Sequence, residues 1–324
     1  MAYTVRKYNG KDALAWNSFI TEAKNATFLF QRDFLEYHAD RFRDYSLLIF
    51  ETGNLIAVLP ANIEGDTLFS HQGLTYGGLI YGEKVKLAAV VQIFKAVLTF
   101  LHANGVKKLY LKLVPSIYHK SPAEELSYAL FLAKANLVRR DSLAVIVTEN
   151  PLKLSKDRKD GVKRGMKNGL RIVEEPAFEL FWSKVLIPNL RSKHDAAPVH
   201  TAEEIIKLHR NFPDNIRQFN VYKDNDIVAG TTFFVTDTVA HSQYTSALAG
   251  KNETGSLDFL YSHLINNVFA EKKYFDFGIS NEDQGTKLNG GLSYWKESFG
   301  ARTIVQDFYE VETRNFNLLR DFLI

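Results

Sequence analysis

A glycine-flanked polar loop is the first segment of the sequence whose residues suit binding chemistry. The run Ala249-Gly-Lys-Asn-Glu-Thr-Gly-Ser256 stands between a predicted strand and a predicted helix. Unpaired amides at the start of a helix attract anions, so this loop is predicted to receive a phosphate of a cofactor, although Glu253 opposes an anion and a plain turn would look the same. The residues predicted to bind the cofactor are Gly250, Lys251, Asn252, Gly255 and Ser256.

Further polar residues are candidates for binding a substrate. Lys287 and Asn289 follow the polar run Asn281-Glu-Asp-Gln-Gly285 at the end of a predicted strand, where loop residues often contact ligands. In the first half, Arg32 and His71 are expected to shape a groove for the acceptor. Each has a simpler alternative, because most polar loops only meet solvent and a single histidine is commonly a core residue.

The composition excludes several kinds of chemistry. The 324 residues include no cysteine, which rules out disulfides, thiolate metal sites and a cysteine nucleophile. The histidines form no His-x-x-x-His pair, so we predict no metal. The longest apolar stretch falls short of the roughly 20 residues of a membrane span, and the first residues lack the apolar core of a signal peptide. We therefore expect a cytoplasmic protein with no membrane span and no DNA partner.

Positive charge is concentrated in one segment, residues 151–171. It holds eight Lys or Arg residues and two Asp, a net charge of +6, whereas the whole chain carries +3. Such a segment suits an anionic ligand such as a nucleotide, coenzyme A or tRNA, and it equally suits a solvated linker helix. Ser155 is a suitable cap for a helix that stops at Gly169, in which Gly161 and Gly165 would each cost about 1 kcal/mol relative to alanine.

The elements that would position these residues recur in two halves of the chain. Each half has strands separated by turns, then a helix and a further strand. In the first half these are strands at 45–50, 55–63 and from 67, a helix over 87–101 and a strand at 109–114. In the second half they are strands at 218–222, 227–235 and 239–246, a helix from 257 and a strand at 274–278. The shared order indicates an internal repeat of mixed α/β structure.

The repeat and the length together predict two domains of ordinary size. We place an N-terminal domain at residues 1–150 and a C-terminal domain at residues 171–324. The basic segment at residues 151–170 is predicted to connect them.

Two motifs resemble a known family. The run Tyr274-Phe-Asp-Phe-Gly-Ile-Ser280, followed by Trp295-Lys-Glu-Ser-Phe-Gly300, is similar to the ending of the Fem-like branch of the GNAT superfamily of N-acetyltransferases, where a strand precedes a helix with an aromatic-Lys-x-x-Phe-Gly signature. The stretch Lys163-Arg-Gly-Met-Lys-Asn-Gly-Leu170 resembles the segment that joins the two domains of these proteins. The resemblance covers nearly the whole chain. It implies two tandem GNAT-like domains, each a central mixed sheet flanked by helices.

The resemblance also implies transfer of an acyl or aminoacyl group onto an amine, with roles for three residues. Lys296, in the signature, would neutralise the developing oxyanion or an anionic acceptor, and Tyr244 would donate a proton to the leaving group. Asp276, which strand alternation places opposite its two neighbours, would orient the amine. The alternatives are a helix lysine lying along its neighbour, a buried strand tyrosine and a partly exposed carboxylate.

The donor stays open between acyl-coenzyme A and aminoacyl-tRNA. Members of the family take amino acids from tRNA, and other relatives are thought to use acyl-coenzyme A. The second half lacks the superfamily's coenzyme A signature, and no long helical arm of the kind found in some cross-bridge enzymes is visible. The expected acceptor is an amine of a small molecule, an amino sugar or a cell-envelope precursor. A descendant that binds such a ligand, or a protein partner, without catalysis is the remaining alternative.

Overall fold

A computed structural model describes residues 3–194, 196–320 and 322–323 of the chain. The strands are β1 Tyr3–Lys7, β2 Leu47–Glu51, β3 Asn54–Leu59, β4 Asn62–Glu64, β5 Thr67–Phe69, β6 Ile80–Tyr81, β7 Lys108–Lys112, β8 Asn136–Val147, β9 Arg171–Glu174, β10 Ile216–Lys223, β11 Asp226–Val235, β12 Val239–Ala247, β13 Tyr274–Ile279, β14 Asn281–Glu282, β15 Lys287–Leu288 and β16 Arg302–Glu312.

The helices are α1 Ala13–Glu22, α2 Arg32–Leu35, α3 Leu87–Ala103, α4 Glu125–Leu132, α5 Lys156–Lys167, α6 Phe178–Phe181, α7 Ile187–His194, α8 Ala202–Asn211, α9 Lys251–Thr254, α10 Ser256–His263 and α11 Gly290–Glu297. Two π-helical turns, Trp182–Leu186 and Leu264–Val268, follow α6 and α10. Among the described residues, no helix is both long and apolar enough to span a bilayer.

The chain packs into two compact units. The first contains the residues up to Asp141 together with those from Val305 onward, and the second contains Ser142–Ile304. These units differ from the predicted domains because the end of the chain returns to the first core, where Val311 and Leu319 are buried. The basic segment at residues 151–170, predicted to be a connection, lies wholly within the second unit.

The first unit contains two groups of strands around α3. Antiparallel strands in the order β1-β2-β3-β6 form one sheet, while β4, β5, β7 and β16 are neighbours in another. The apolar face of α3, which includes Val90, Phe94 and Val97, is buried in the core of the unit. The strand predicted at 55–63 is two strands in different sheets, β3 and β4, because Pro60 between them has no amide hydrogen for a ladder.

The second unit is built on one sheet in the order β8-β13-β12-β11-β10-β9. All neighbours are antiparallel except β12 and β13, which are parallel. On one face an aromatic core surrounds Phe233, whose ring stacks on Phe269 with centroids 4.8 Å apart and lies 5.3 Å from the ring of Phe275. This core fixes the sheet against α10.

A helix follows the first of two parallel neighbouring strands in each unit. In the first unit α3 lies in sequence between the parallel strands β5 and β7, and in the second unit α10 lies between β12 and β13. Antiparallel strands precede each pair, β2 with β3 and β10 with β11. The predicted repeat is confirmed: each unit has a mixed sheet flanked by helices.

The pairing of β12 with β13 is short. It covers three residue pairs and ends at His241 opposite Asp276, although β12 continues to Ala247 and β13 to Ile279. Beyond this point β12 also has a bulge against β11, since Thr232 lies opposite Tyr244 but the next residue lies opposite Ser242. Bulges of this kind re-aim side chains and often lie beside functional sites.

The predicted basic helix is α5, and its glycines have a packing role. Ser155 caps it by accepting a hydrogen bond from the amide of Arg158, and Gly169 follows its end with φ +65°. A Cβ on Gly161 would stand 1.8 Å from Oδ2 of Asp258, and one on Gly165 would stand 2.5 Å from Phe259. The two glycines, expected only to weaken the helix, let α5 lie directly against α10.

Candidate active site

A cavity of about 640 Å³ opens in the second unit where β12 and β13 stop pairing. Its walls come from β12, the end of β13, α5, α10 and α11. Buried side chains form the floor, among them Leu257, Asp258, Tyr261, Phe277 and Lys296. Exposed residues form the mouth, among them Lys251, Asn252, Leu292 and Tyr294.

Lys296 is held at the point where the two strands separate. It lies on α11, which Asn289 caps by accepting a hydrogen bond from the amide of Leu292 at 3.0 Å. The Lys296 side chain is buried, and Nζ donates to the carbonyl oxygens of Gly278 at 2.9 Å and Ile279 at 2.6 Å. The ammonium thus binds backbone carbonyls of β13 that lie beyond the last residue of this strand paired with β12. The structure places this residue of the signature in the cavity wall.

The charge of Lys296 is sensitive to pH near neutrality. Burial lowers the pKa of Lys296 to about 8, and the negative charge of Asp276 limits the fall. In protein labelled with carbon-13 at lysine Cε, the buried Lys112 of the first unit is expected to titrate near pH 8, well below the ordinary lysine value of about 10.4. We expect a second lysine signal near pH 8, that of Lys296. The signal should be missing from the Lys296→Met variant. If every lysine signal of the second unit's cavity titrated above pH 10, the buried ammonium described here would be contradicted.

Asp276 is buried behind the cavity wall. Its side chain is fully excluded from solvent, with Oδ2 2.8 Å from Nδ1 of His241 and Oδ1 accepting from the amide of Gly278 at 2.7 Å. It does not line the cavity. The carboxylate therefore fixes the backbone of Gly278, whose carbonyl holds Lys296, and does not reach an amine in the cavity.

Tyr244 lies outside the cavity lining. Its hydroxyl is 2.5 Å from Nδ1 of His200 and accepts from the His200 amide at 3.2 Å, and its ring packs edge-on against Trp182. Burial raises its pKa to about 12. The structure therefore does not bring Tyr244 together with Lys296, because the bulge in β12 turns the side chain away.

A different tyrosine, Tyr261, lies in the cavity floor. It is buried on α10, and its hydroxyl lies 2.5 Å from Oγ of Ser242, in contact with Thr245 and 3.4 Å from Thr231. Burial raises the pKa of Tyr261. The phenol therefore stays protonated at neutral pH, within a cluster of hydroxyl groups. Sequence patterns did not reveal it, because a tyrosine on the buried face of a helix looks like an ordinary core residue.

A partly buried ion pair forms another part of the wall. Nη1 of Arg158 on α5 lies 2.5 Å from Oδ1 of Asp258 on α10, and the same oxygen accepts from Nε1 of Trp295 at 3.2 Å. Burial raises the pKa of Asp258 against the opposing effect of Arg158. The basic segment thus contributes a cation to the cavity, whereas its partner Asp258 had no signal in the sequence.

The predicted cofactor loop divides into two parts. Lys251 and Asn252 are exposed at the cavity mouth. Gly255 and Ser256 are buried, and a Cβ on Gly255 would stand 2.1 Å from the carbonyl oxygen of Gly161 on α5. Gly250 has φ +80°, and a Cβ there would meet only Oε2 of Glu253, at 3.7 Å. The start of α10 therefore does not fit the phosphate predicted there, because the backbone of α5 covers it.

The predicted substrate residues of the second unit also differ in position. Asn289 lines the cavity while it caps α11, and its Nδ2 donates to Glu282 at 2.9 Å. Lys287 is exposed on β15, pairs with Asp283 at 2.5 Å and does not line the cavity. Among the described residues, no group of three potential ligands that would hold a metal ion is found.

Arg32 and His71 are packed inside the first unit. The Arg32 guanidinium contacts Asp44, donates to Glu36 at 2.9 Å and lies over the ring of Tyr8 at 3.7 Å. His71 stacks on the ring of His38 with centroids 4.8 Å apart, and burial lowers the pKa of His71 to about 3. Both side chains are almost fully buried, as expected for groups that support the core.

Comparison with known proteins finds solved structures that have a similar fold. No protein-family model matches the chain, and no curated protein matches its sequence. Among solved structures, FemX is similar with a TM-score of 0.65 at 8% identity, covering 94% of this chain and 96% of that chain. The C-terminal domain of a putative lysylphosphatidylglycerol synthetase from Agrobacterium fabrum has a TM-score of 0.60 at 14% identity, covering 94% and 92%. L-PGS from Bacillus licheniformis has a TM-score of 0.57 at 9% identity, covering 97% and 96%. With its two repeated units, each a mixed sheet flanked by helices, the chain has a Fem-like fold.

Proposed function

We propose that this protein is an acyl or aminoacyl transferase whose active site is the cavity of the second unit. The observation that carries the proposal is the buried ammonium of Lys296, held where two parallel strands separate above a floor of hydroxyl groups. Similar solved structures named FemX and lysylphosphatidylglycerol synthetase support a transferase. The acceptor we propose is an amine of a small molecule, an amino sugar or a cell-envelope precursor.

Lys296 would act on the oxygen of the donor carbonyl. An ammonium has three N–H donors, and two of those on Lys296 are taken by backbone carbonyls. The third can meet the oxygen that becomes negative when the acceptor amine attacks the carbonyl carbon. A new C–N bond then forms, the bond to the leaving group breaks, and the proton lost by the amine passes to water at the open mouth. A fixed cation in a partly desolvated cavity lowers the barrier for this step.

The hydroxyl cluster would orient the substrate. Tyr261 stays protonated and holds Ser242 and Thr245 as a connected set of donors and acceptors in the wall opposite bulk solvent. Such preformed groups position a reacting carbonyl or amine without a cost of reorganisation. The aromatic ring of Trp295 closes the same wall, 5.0 Å from the ring of Tyr261.

Two tyrosine variants test whether Tyr261, which lines the cavity, or Tyr244, the proton donor expected from the sequence, contributes to transfer. We expect Tyr261→Phe to lower the transfer rate about tenfold, because one hydrogen-bonding group in the cavity is lost. We expect Tyr244→Phe to change the rate less than about twofold, because its hydroxyl is bonded to His200 and its side chain does not line the cavity. Steady-state rates of both purified variants, with melting temperatures as the folding control, make the comparison. The reverse order of effects would restore Tyr244 as the proton donor and remove Tyr261 from the site.

The donor is proposed to approach through the mouth of the cavity. Lys251 and Asn252 are exposed there, and Arg158 and Lys296 add positive charge within. These groups suit the anionic part of either acyl-coenzyme A or aminoacyl-tRNA, and neither donor needs the covered start of α10 in this arrangement. A phosphate bound at the amides of Gly255 and Ser256 would first require α5 to move.

The experiment that tests the function combines donor binding with transfer. Melting of the purified protein would be followed with acetyl-coenzyme A, with coenzyme A and with bulk aminoacyl-tRNA, each at low and high salt, since a ligand of the folded state raises the melting temperature. Radiolabelled donors would then be incubated with a panel of amines and amino-sugar precursors. Transfer of label to an acceptor is the expected result. Failure of every donor to bind or react, with the fold intact, would overturn the proposal in favour of a protein that only binds ligands.

A further inference from the structure

The outward face of α5 is a row of lysines. Lys156, Lys159, Lys163 and Lys167 are all exposed, and their spacing puts them on one side of the helix. The opposite side carries the buried Gly161 and Gly165, which pack on α10. The orientation of the helix is thereby fixed, and the four ammonium groups are presented together to the surroundings.

The arginines of the same helix are turned to the protein. Arg158 pairs with Asp258, and Nε of Arg164 donates to the carbonyl oxygen of Asn252 at 2.9 Å. The exposed cations of α5 are therefore all lysines. Two acidic residues lie among them, but Asp157 accepts from the hydroxyl of Tyr294 at 3.0 Å and Asp160 lies 3.8 Å from Lys163. The row keeps a net positive charge.

Large apolar side chains are exposed beside this row. Leu152, just before α5, is 47% exposed, and Met166 on α5 is 64% exposed. On α11, which the Tyr294–Asp157 contact joins to α5, Leu292 is 39% and Tyr294 is 57% exposed, and Leu288 before it is 59% exposed. We call the set the lysine–leucine surface: Leu152, Lys156, Lys159, Lys163, Met166, Lys167, Leu288, Leu292 and Tyr294.

We propose that the lysine–leucine surface docks on a bilayer that contains anionic lipids. Lysines attract an anionic membrane and keep their charge in the headgroup layer, while leucine, methionine and tyrosine side chains enter the interface beside them. An RNA ligand would leave the exposed apolar side chains of Leu152, Leu288 and Met166 without an apolar partner. RNA recognition also favours arginine, and the arginines of α5 face the protein. The docking is a property of the surface alone and does not depend on the transfer reaction.

The test is co-sedimentation of the full-length protein with vesicles. Vesicles of phosphatidylcholine alone would be compared with vesicles of equal parts phosphatidylcholine and phosphatidylglycerol, at low and high salt. Binding to the anionic vesicles that weakens with salt is expected. Reversing three charges, in Lys156→Glu, Lys163→Glu and Lys167→Glu together, should weaken that binding at least about 100-fold, since each lysine near such a surface contributes about fivefold and the three factors multiply. Met166→Ser with Leu288→Ser should weaken it about tenfold.

A matched control keeps the overall charge change constant. Lys184→Glu, Lys207→Glu and Lys223→Glu reverse three exposed lysines of the same unit that lie outside the surface. They should bind anionic vesicles as the natural protein does. Equal loss in both triple variants would reduce the effect to net charge and overturn the proposal. Unchanged vesicle binding by the Lys156→Glu, Lys163→Glu, Lys167→Glu variant would also overturn the proposal. Binding of the natural protein to labelled tRNA but not to anionic vesicles would overturn it as well.

Discussion

Replacing Lys296 by methionine is expected to lower the transfer rate about 10²–10³-fold while the protein stays folded. The variant removes the only buried ammonium among the described residues that line the cavity. That ammonium would stabilise the developing oxyanion, so the rate falls when it is lost. Methionine retains an unbranched apolar chain that ends one atom short of Nζ, so the walls of the cavity should be preserved. The measurement is kcat/KM on the purified variant with the donor and acceptor found by screening.

The control for this variant is a lysine nearby that does not line the cavity. Lys287→Met removes the same charge from an exposed position and should leave the rate within about twofold. A second readout is the pH profile. Because the ammonium is lost as pH rises through about 8, the rate of the natural protein should fall above that pH, and the fall should be absent in Lys296→Met. A Lys296→Met variant as active as the natural protein would remove Lys296 from the mechanism.

Replacing Gly255 by alanine is expected to lower the free energy of unfolding by about 3 kcal/mol or more, because two penalties add. Gly255 has φ +70°, a conformation that costs an L residue energy, and its new Cβ would stand 2.1 Å from the carbonyl oxygen of Gly161. That oxygen belongs to the backbone of α5, so no change of rotamer can relieve the clash. Urea unfolding followed by circular dichroism measures the loss.

Gly250 supplies the matched variant, since it flanks the other end of α9. It also has a left-handed conformation, φ +80°, but the nearest atom to its Cβ would be Oε2 of Glu253 at 3.7 Å. Gly250→Ala should therefore cost only the conformational penalty, about 1 kcal/mol. The difference between the two variants isolates the close approach of α5. If both cost the same, α5 does not lie against the start of α10 in solution.

Much of the fold could be predicted because each element has a local signal. The periodic apolar residues of α3, the Ser155 cap of α5 and the order of strands and helices in both halves follow from patterns within short segments. The prediction of a single strand at 55–63 was wrong in one respect, because Pro60 divides this segment into β3 and β4. The return of residues 305–324 to the first unit was missed, because which core a strand joins depends on residues far away in the sequence.

The candidate site could be predicted only in part. Lys296, taken from the signature, lines the cavity, and Lys251 and Asn252, taken from the polar loop, lie at its mouth. The roles of these residues stay predictions. Tyr244 and Tyr261 could not be told apart, since the register of β12 and the packing of α10 decide which tyrosine lines the cavity. Asp258 was hidden because its environment is created by a helix about 100 residues earlier in the sequence.

During synthesis the first unit cannot complete its fold until the last part of the chain has been made. β16 pairs with β7, and Val311 and Leu319 fill the core of that unit, yet the ribosome makes them after every strand of the second unit. A nascent chain that ends at Ile304 can close its later half while the earlier half lacks a strand and exposes the edge of β7. The order of completion is thus the reverse of the order of translation, and the unit made first is the one whose strand edge stays unpaired longest.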